Sequence, residues 1–274
     1  MTLAHIIALL GTGTGVGFLS GLLGIGGGLI MTPVQYIVYL DMGTTPDTAI
    51  KLAFGTSLLV IFPTAISGLW RHSRRGAIWW KLAIIMGCSS LVASFGGAIL
   101  ATHLPGNILK IVFGVAALAA GIRMLTAKPS KFDLKPINKP WLWFVWAIPV
   151  GLITGLIGIG GGIIAIPVLA LALRLNMHSA VATSLAIMTL GSLGGIIGYI
   201  INGFGVPDLP PYSLGYINLS TWLMLSVTSA GMAQIGAITA HRISAKWLRY
   251  IFIAMIIYMG LRMIGVFQWL GLPV

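Results

Sequence analysis

The sequence predicts an all-α integral membrane protein: two pseudo-symmetric repeats of five segments, each opening with a Gly-rich helical hairpin. Three observations carry that reading. The 274-residue chain is 58% hydrophobic and only 7% charged, with a mean hydropathy of +1.02. A soluble domain is about a quarter charged, so this chain has too few polar groups to cover a globular surface, which argues against a soluble enzyme. The apolar residues gather in long stretches separated by short polar breaks, and one glycine-rich segment occurs twice, at Gly24 and at Gly158.

Charge sharpens the class. Sixteen Lys and Arg stand against four acids, Asp41, Asp47, Asp133 and Asp208, with no Glu, for a net charge of +12. In a soluble protein that excess points to nucleic acid. Here the basic residues interrupt apolar runs, so the partner is a lipid bilayer and not nucleic acid. The lone Cys88 excludes a disulfide framework within one chain.

A membrane-crossing helix needs about 20 mostly apolar residues. Before mid-chain the apolar stretches are 3–23, 29–40, 49–70, 77–102 and 108–125. A Pro- and Lys-containing linker follows at 126–139, then stretches 141–157, 163–173, 180–201, 219–240 and 250–267. This divides the chain into a first repeat (1–127), a cytoplasmic linker (128–140) and a second repeat (141–274). The second and seventh stretches are short for a full crossing. No Lys or Arg precedes the first run, so it does not resemble a cleaved signal peptide.

The halves align with each other. Residues 17–34 match 151–168 with every glycine and the proline in register; Thr56-Ser57-Leu58 matches Thr183-Ser184-Leu185; Gly121-Ile122-Arg123-Met124 matches Gly260-Leu261-Arg262-Met263. Duplications of this kind are typical of secondary transporters. Cytoplasmic loops collect Lys and Arg. In the first half the loop between the third and fourth stretches holds Arg71, Arg74 and Arg75, and two crossings later the linker holds Lys128, Lys131, Lys135 and Lys139. The loop equivalent to Arg71–Arg75 in the second half, 202–218, has no basic residue, and the next turn carries Arg242, Lys246 and Arg249 instead. The pattern flips between halves, as inverted repeats require. It places the linker inside and both termini outside, in the cytoplasmic (inner) membrane. Thirteen of the sixteen basic residues then fall on the inner side, and only Lys51, Lys110 and Arg262 lie toward the outer side. Inversion needs an odd number of crossings per half, so the first two segments must enter and return on one side. The rival reading is a single long helix broken at the glycines, which gives parallel repeats.

Gly24-Ile25-Gly26-Gly27-Gly28 and Gly158-Ile159-Gly160-Gly161-Gly162 are the most distinctive motifs. A helical glycine costs about 1 kcal/mol relative to Ala, so such a cluster predicts unwound backbone. Inside a membrane that is tolerated only within protein or beside a water-filled cavity, where a following helix N-terminus can face an anion. The competing reading is close helix packing. Gly17, Gly21, Gly24 and Gly28 share one helix face, as do Gly151, Gly155, Gly158 and Gly162. Neither segment is a dinucleotide fingerprint. Pro33 and Pro167 lie inside the next stretch and bend it. Thr56, Ser57, Thr183 and Ser184 can donate hydroxyls to an anion, or bond to their own helix carbonyls. Gln35 and Gln234 suit interhelical hydrogen bonds.

The missing carboxylates matter as well. Proton and cation carriers place Asp or Glu within the membrane, whereas every Asp here falls in a loop or at a stretch end. A neutral or anionic substrate fits better. Arg123 and Arg262 sit at matched helix ends, where snorkelling is the common role. The five His residues (5, 72, 103, 178, 241) show no metal-site or haem spacing, and no cofactor or metal is expected. Cys88 reads as a small buried apolar residue. Trp79, Trp80, Trp141, Trp143, Trp146, Trp247 and Trp269 cluster near stretch ends, as an interfacial belt does.

The duplicated GxGGGxxxxP segment, followed in each half by Thr-Ser-Leu, resembles the sulfite exporter TauE/SafE (TSUP) family over nearly the whole chain. The resemblance implies a membrane transporter, not an enzyme, that moves sulfite, sulfonates or related organosulfur anions, with export favoured. The candidate substrate-binding residues that match its motifs are Gly26, Gly27, Gly28, Pro33, Thr56 and Ser57, with Gly160, Gly161, Gly162, Pro167, Thr183 and Ser184. Alternatives are an uptake permease for another small anion, or a membrane anchor or assembly subunit that carries no solute. The sequence leaves self-association into a homo-oligomer open.

Overall fold

The computed structural model describes residues 1–23, 26–74, 76–126, 136–239 and 246–269. Of the residues used above, Gly24, Ile25, Arg75, Lys128, Lys131, Asp133, Lys135, His241 and Arg242 lie outside the described residues, as do the side chains of Lys246, Trp247 and Arg249. The described chain is helical: α1 (Leu3–Leu23), α2 (Gly28–Asp41), α3 (Pro46–Ser73), α4 (Trp80–His103), α5 (Gly106–Thr126), α6 (Pro140–Ile157) and α7 (Gly162–Pro167), which runs on as a π-helical turn over Val168–Ala172. Then follow α8 (Met177–Gly203), α9 (Leu219–Thr239), α10 (Lys246–Ile264) and α11 (Val266–Trp269). Each apolar stretch of the sequence became a helix. Among the described residues there is no strand, only an isolated bridge between Ser213 and Asn218.

The helices start where local chemistry directs. Thr45 caps α3 by accepting from Thr48 N at 3.4 Å, with Pro46 at its first position. Asn176 caps α8 by accepting from Ser179 N at 2.8 Å. These caps extend both helices a few residues ahead of their apolar runs. The last stretch is cut by Gly265, whose φ of 88° ends α10 before α11. Six described helices, α1, α3, α4, α5, α6 and α8, are long and apolar enough to cross a membrane. Large apolar side chains such as Val92, Val115 and Val227 point outward. The chain is a multi-pass membrane protein.

Contacts at the helix ends give the path of the chain. His5 Nε2 lies 2.6 Å from Asp41 Oδ2, so α1 begins where α2 ends. Ile137 N donates to Leu173 O at 3.1 Å, so α6 begins where the π turn ends. Each glycine-linked pair is therefore a hairpin that enters and returns at one end of the bundle. Asp47 Oδ1 accepts from Gly106 N at 2.6 Å, which ties the start of α5 to the start of α3.

The halves interlock. Gly55 faces Tyr199, Gly195 faces Leu58 and Gly68 faces Leu185, so α3 and α8 run antiparallel. Gly114 faces Ile264 and Gly121 faces Ile257, so α5 and α10 do too. By contrast α1 lies parallel to α9, with Gly17 at Ser229 and Gly21 at Ala233, and α6 lies parallel to α4, with Gly151 at Ser90 and Gly155 at Ser94. The helix-packing reading of the glycine stripe is correct for these four glycines, where a missing Cβ lets backbones touch. Phe54 stacks on Phe113 at 5.9 Å in the main core.

Two side chains depart from expectation. Trp143 is buried rather than interfacial; its Nε1 donates to Ile137 O at 3.1 Å and its ring meets Trp79 edge-on at 5.3 Å. Trp80, Trp141 and Trp269 are exposed, as a belt requires. Cys88 is exposed. On α4 the neighbouring Gly87 and Ser90 face α8 and α6, which turns position 88 outward.

Candidate functional site

The glycine turns build the centre of the site. Gly26 and Gly27 have φ of 84° and 70°, and Gly160 and Gly161 have φ of 79° and 75°. This left-handed backbone favours glycine because it carries no Cβ. Gly27 starts α2 and Gly161 starts α7, and neither has a side-chain cap. The two starts match: Ile30 and Met31 donate to Gly27 O at 3.2 and 3.3 Å, and Ile164 and Ala165 donate to Gly161 O at 3.0 and 2.8 Å. The first N–H groups of such a helix have no acceptor within it.

The two turns touch each other. A Cβ on Gly28 would lie 2.8 Å from Ile159 Cα and 3.0 Å from Gly158 O. Gly26 meets Met188 of α8, and Gly160 meets Ile61 of α3. Each turn also folds back onto its own first helix: Gly27 against Val16, and Gly161 against Val150 and Thr154, with Val16 and Val150 at matched positions. The predicted unwound backbone is present, buried inside protein. The space beside it is small, a cavity of about 30 Å³ next to Gly161 and Thr154. That admits a water molecule and no larger solute. The turns are closed on one another.

The Thr-Ser pairs split in role. Thr56 Oγ1 accepts from Asn218 N at 2.9 Å and from Tyr39 Oη at 3.2 Å. Thr183 Oγ1 accepts from Trp79 N at 3.2 Å. Asn218 directly precedes α9, and Trp79 directly precedes α4. Each threonine thus holds the start of the fourth segment of the other half. Ser184 Oγ donates to Val181 O at 2.8 Å, the helix-carbonyl bond that competes with ligand binding. Ser57 alone joins a side-chain cluster. Its Oγ lies 2.9 Å from Thr32 Oγ1 and accepts from Gln35 Nε2 at 3.0 Å. All three residues are fully buried, and Gln35 Oε1 has no hydrogen-bond partner. An unpaired buried polar atom is uncommon enough to need a reason. Gln234 takes the interhelical role expected of it, donating to Ser67 O at 3.0 Å.

The prolines diverge as well. Pro167 is followed by the π turn, where Leu173 N reaches back to Val168 O at 2.9 Å. Pro33 sits in unbroken α-helix and lines a cavity of about 490 Å³ between α2, α5 and α10. Arg123 is exposed, as snorkelling requires, whereas its match Arg262 is half-buried in the wall of that cavity. Among the described residues, no three His, Cys, Asp or Glu side chains gather as a metal site would need. Sequence reasoning missed Thr32, Tyr39 and Asn218. The signal for two of them was present: Thr32, Gln35 and Tyr39 recur at i, i+3 and i+7, a polar face on an apolar run.

Residues 9–263 match the model of the family described as sulfite exporter TauE/SafE. The chain belongs to this family. Its glycine turns and Thr-Ser pairs all fall within the matched region. A protein of Methanocaldococcus jannaschii named a probable membrane transporter is 34% identical over 253 residues, covering 91% of each chain. A Haemophilus influenzae protein of the same description is 30% identical over 259 residues, covering 94% of this chain and 97% of that one. A third, YunE of Bacillus subtilis, is 27% identical over 209 residues, covering 68% of this chain and 75% of that one. No solved structure gives a match.

Proposed function

We propose that the chain is a secondary transporter that exports small sulfur-containing anions, such as sulfite or sulfonates, across the cytoplasmic membrane by alternating access. The observation that carries this is the contact between Gly28 and the Gly158–Ile159 backbone: two glycine turns, one from each half, meet inside the bundle. The family description names sulfite export, and the relatives described above are named probable membrane transporters.

In this reading the halves are inverted repeats. The antiparallel α3–α8 and α5–α10 pairs and the hairpins that return to their own end support it, together with the flip of loop charge between halves. Both termini are then extracytoplasmic. The substrate sits where the turns now touch. It is held by the first N–H groups of α2 and α7, whose helix dipoles favour an anion. Ser57 and Gln35 add neutral donors from the first half. Gln35 can present its amide N–H groups by a half-turn of the carboxamide, which leaves its oxygen to accept from Ser57. Opening to either side separates one hairpin from the other. With no carboxylate in the site, the membrane potential is a sufficient driving force. Moving one negative charge outward gains about 2.3 kcal/mol per 100 mV.

Purified protein in proteoliposomes is expected to show saturable flux of sulfite, sulfoacetate or taurine, with export of the two net anions, sulfite and sulfoacetate, accelerated by a potential that is negative inside. Flux of none of these, or flux that does not saturate, rejects the assignment. Activity of the protein alone also separates a carrier from an anchor or assembly subunit.

A further inference from the structure

Three basic residues break the charge asymmetry that orients the chain: Lys51, Lys110 and Arg262 lie toward the end that otherwise lacks Lys and Arg. The structure accounts for Lys51, whose Nζ is 2.7 Å from Asp47 Oδ2. The other two converge. Lys110 of α5 and Arg262 of α10 both line the 490 Å³ cavity, with Pro33 and Tyr36 of α2 and Asn107 of α5. Lys110 Nζ lies 5.6 Å from the Tyr36 ring centroid, and Arg262 is half-buried. Among the described residues neither cation has a carboxylate partner. Of the three acids at this end, Asp41 is engaged by His5 and Asp47 by Lys51 and Gly106, while Asp208, in the loop between α8 and α9, pairs with neither Lys110 nor Arg262. The cavity therefore concentrates positive charge between apolar walls, which focuses the field and raises the local concentration of anions.

We infer that this cavity is a binding site for a small free oxyanion of the sulfite or sulfonate class, and that it is the carrier's port at the end bearing the N-terminus. Lys110 and Arg262 supply the charge, and Asn107 supplies a neutral donor. The site is separate from the glycine turns, because it uses the α2 face that carries Pro33 and Tyr36 rather than the face that carries Thr32 and Gln35. The repeat supplies a counterpart. Aligning Gly121-Ile122-Arg123 with Gly260-Leu261-Arg262 pairs Lys110 with Arg249 and Arg262 with Arg123. The basic pair thus recurs in sequence for the opposite end. The assignment of the site as a port rests on the transport reading; the anion site does not.

The test uses the full chain in phosphatidylcholine nanodiscs and in sided proteoliposomes, with Lys110→Gln and Arg262→Gln, and with Lys110→Arg and Arg262→Lys as conservative controls. Sulfite and sulfoacetate are expected to raise the melting temperature of the wild type. Either Gln variant is expected to bind the anion about tenfold more weakly, the loss of one charge-assisted hydrogen bond. The Arg and Lys controls are expected to retain binding. KM is expected to rise only for substrate presented at the end bearing the N-terminus. Equal affinity in wild type and Gln variants, or no anion-dependent stabilisation of the wild type, overturns the inference. So does stabilisation by phosphatidylglycerol alone, which would make the cavity a lipid headgroup site. Anion binding without flux defeats the transport reading and spares the site. Flux with an unchanged KM in the Gln variants defeats the site and spares the transport reading.

Discussion

The two hairpins begin alike and diverge within two turns. Both fold at left-handed glycines, both start their second helix with two N–H groups bonded to the carbonyl of the preceding glycine, and both press that glycine against a valine of the first helix. Then α2 continues as regular helix to Asp41, with Thr32, Gln35 and Tyr39 turned toward α3. The matched positions after Gly162 are Ile166, Leu169 and Leu173; α7 is short, and its ladder widens into a π turn. The backbone device is shared, and the side-chain chemistry belongs to one half. The shared part is what a pair of turns meeting face to face requires. Under the proposed transport function, the unshared part is where an asymmetric ligand would gain its orientation, because an equal lining on both sides cannot distinguish the ends of a sulfonate.

The shared part gives the largest expected effect. Gly27→Leu and Gly161→Leu each force an L side chain into left-handed backbone and into Val16 or Thr154. Flux is expected to fall at least 100-fold in both, with membrane insertion retained, because α1 and α6 are apolar all round and insert without the turn. Transport assays beside a membrane-fraction blot check this. Normal flux in either variant would show that the turns are packing elements only.

How much of this could be read from sequence follows from the range of the interaction. The helices were legible to within about four residues at their ends, since a bilayer-length apolar run is a local property. The hairpin reading was legible through loop charge. The split between Thr56 and Ser57 was not, because it depends on Asn218 N, contributed from 162 positions along the chain. Trp143 and Cys88 were misplaced for the same reason: which face of α4 or α6 is inside depends on partner helices in the other half. The cavity of Lys110 and Arg262 was visible only as two exceptions to a charge rule.

The matched threonines give the next effect in size. Thr56→Val leaves the buried Asn218 N without an acceptor and takes from the buried Tyr39 Oη one of its two hydroxyl neighbours, the other being Thr221. Thr183→Val strands only Trp79 N, at a partly exposed residue. Val is close to Thr in shape, so the hydrogen-bond term dominates. Unfolding in detergent is expected to show a loss of about 2–4 kcal/mol for Thr56→Val and about 1 kcal/mol for Thr183→Val. Equal losses would mean that the two caps are equivalent despite their different partners.

The smallest effect tests the unshared part directly. Gln35→Leu writes the residue of the second hairpin, Leu169, into the first. It removes an amide whose oxygen is already unpaired, and it leaves Ser57 its contact with Thr32. Stability is therefore expected to change by less than about 1 kcal/mol, since deleting an unsatisfied buried group offsets the hydrogen bond that is lost. Affinity is a different matter. If the carboxamide turns to donate when the hairpins part, its loss removes one neutral donor from the anion and raises KM by about tenfold with Vmax little changed. Gln35→Glu separates donor from bulk: it keeps the length and takes on a negative charge once the hairpins part to water, so it is expected to abolish sulfite flux while Gln35→Leu only weakens it. Equal KM in wild type and Gln35→Leu would reduce the polar face of α2 to packing between helices, and the two hairpins would then be functionally as alike as their glycines.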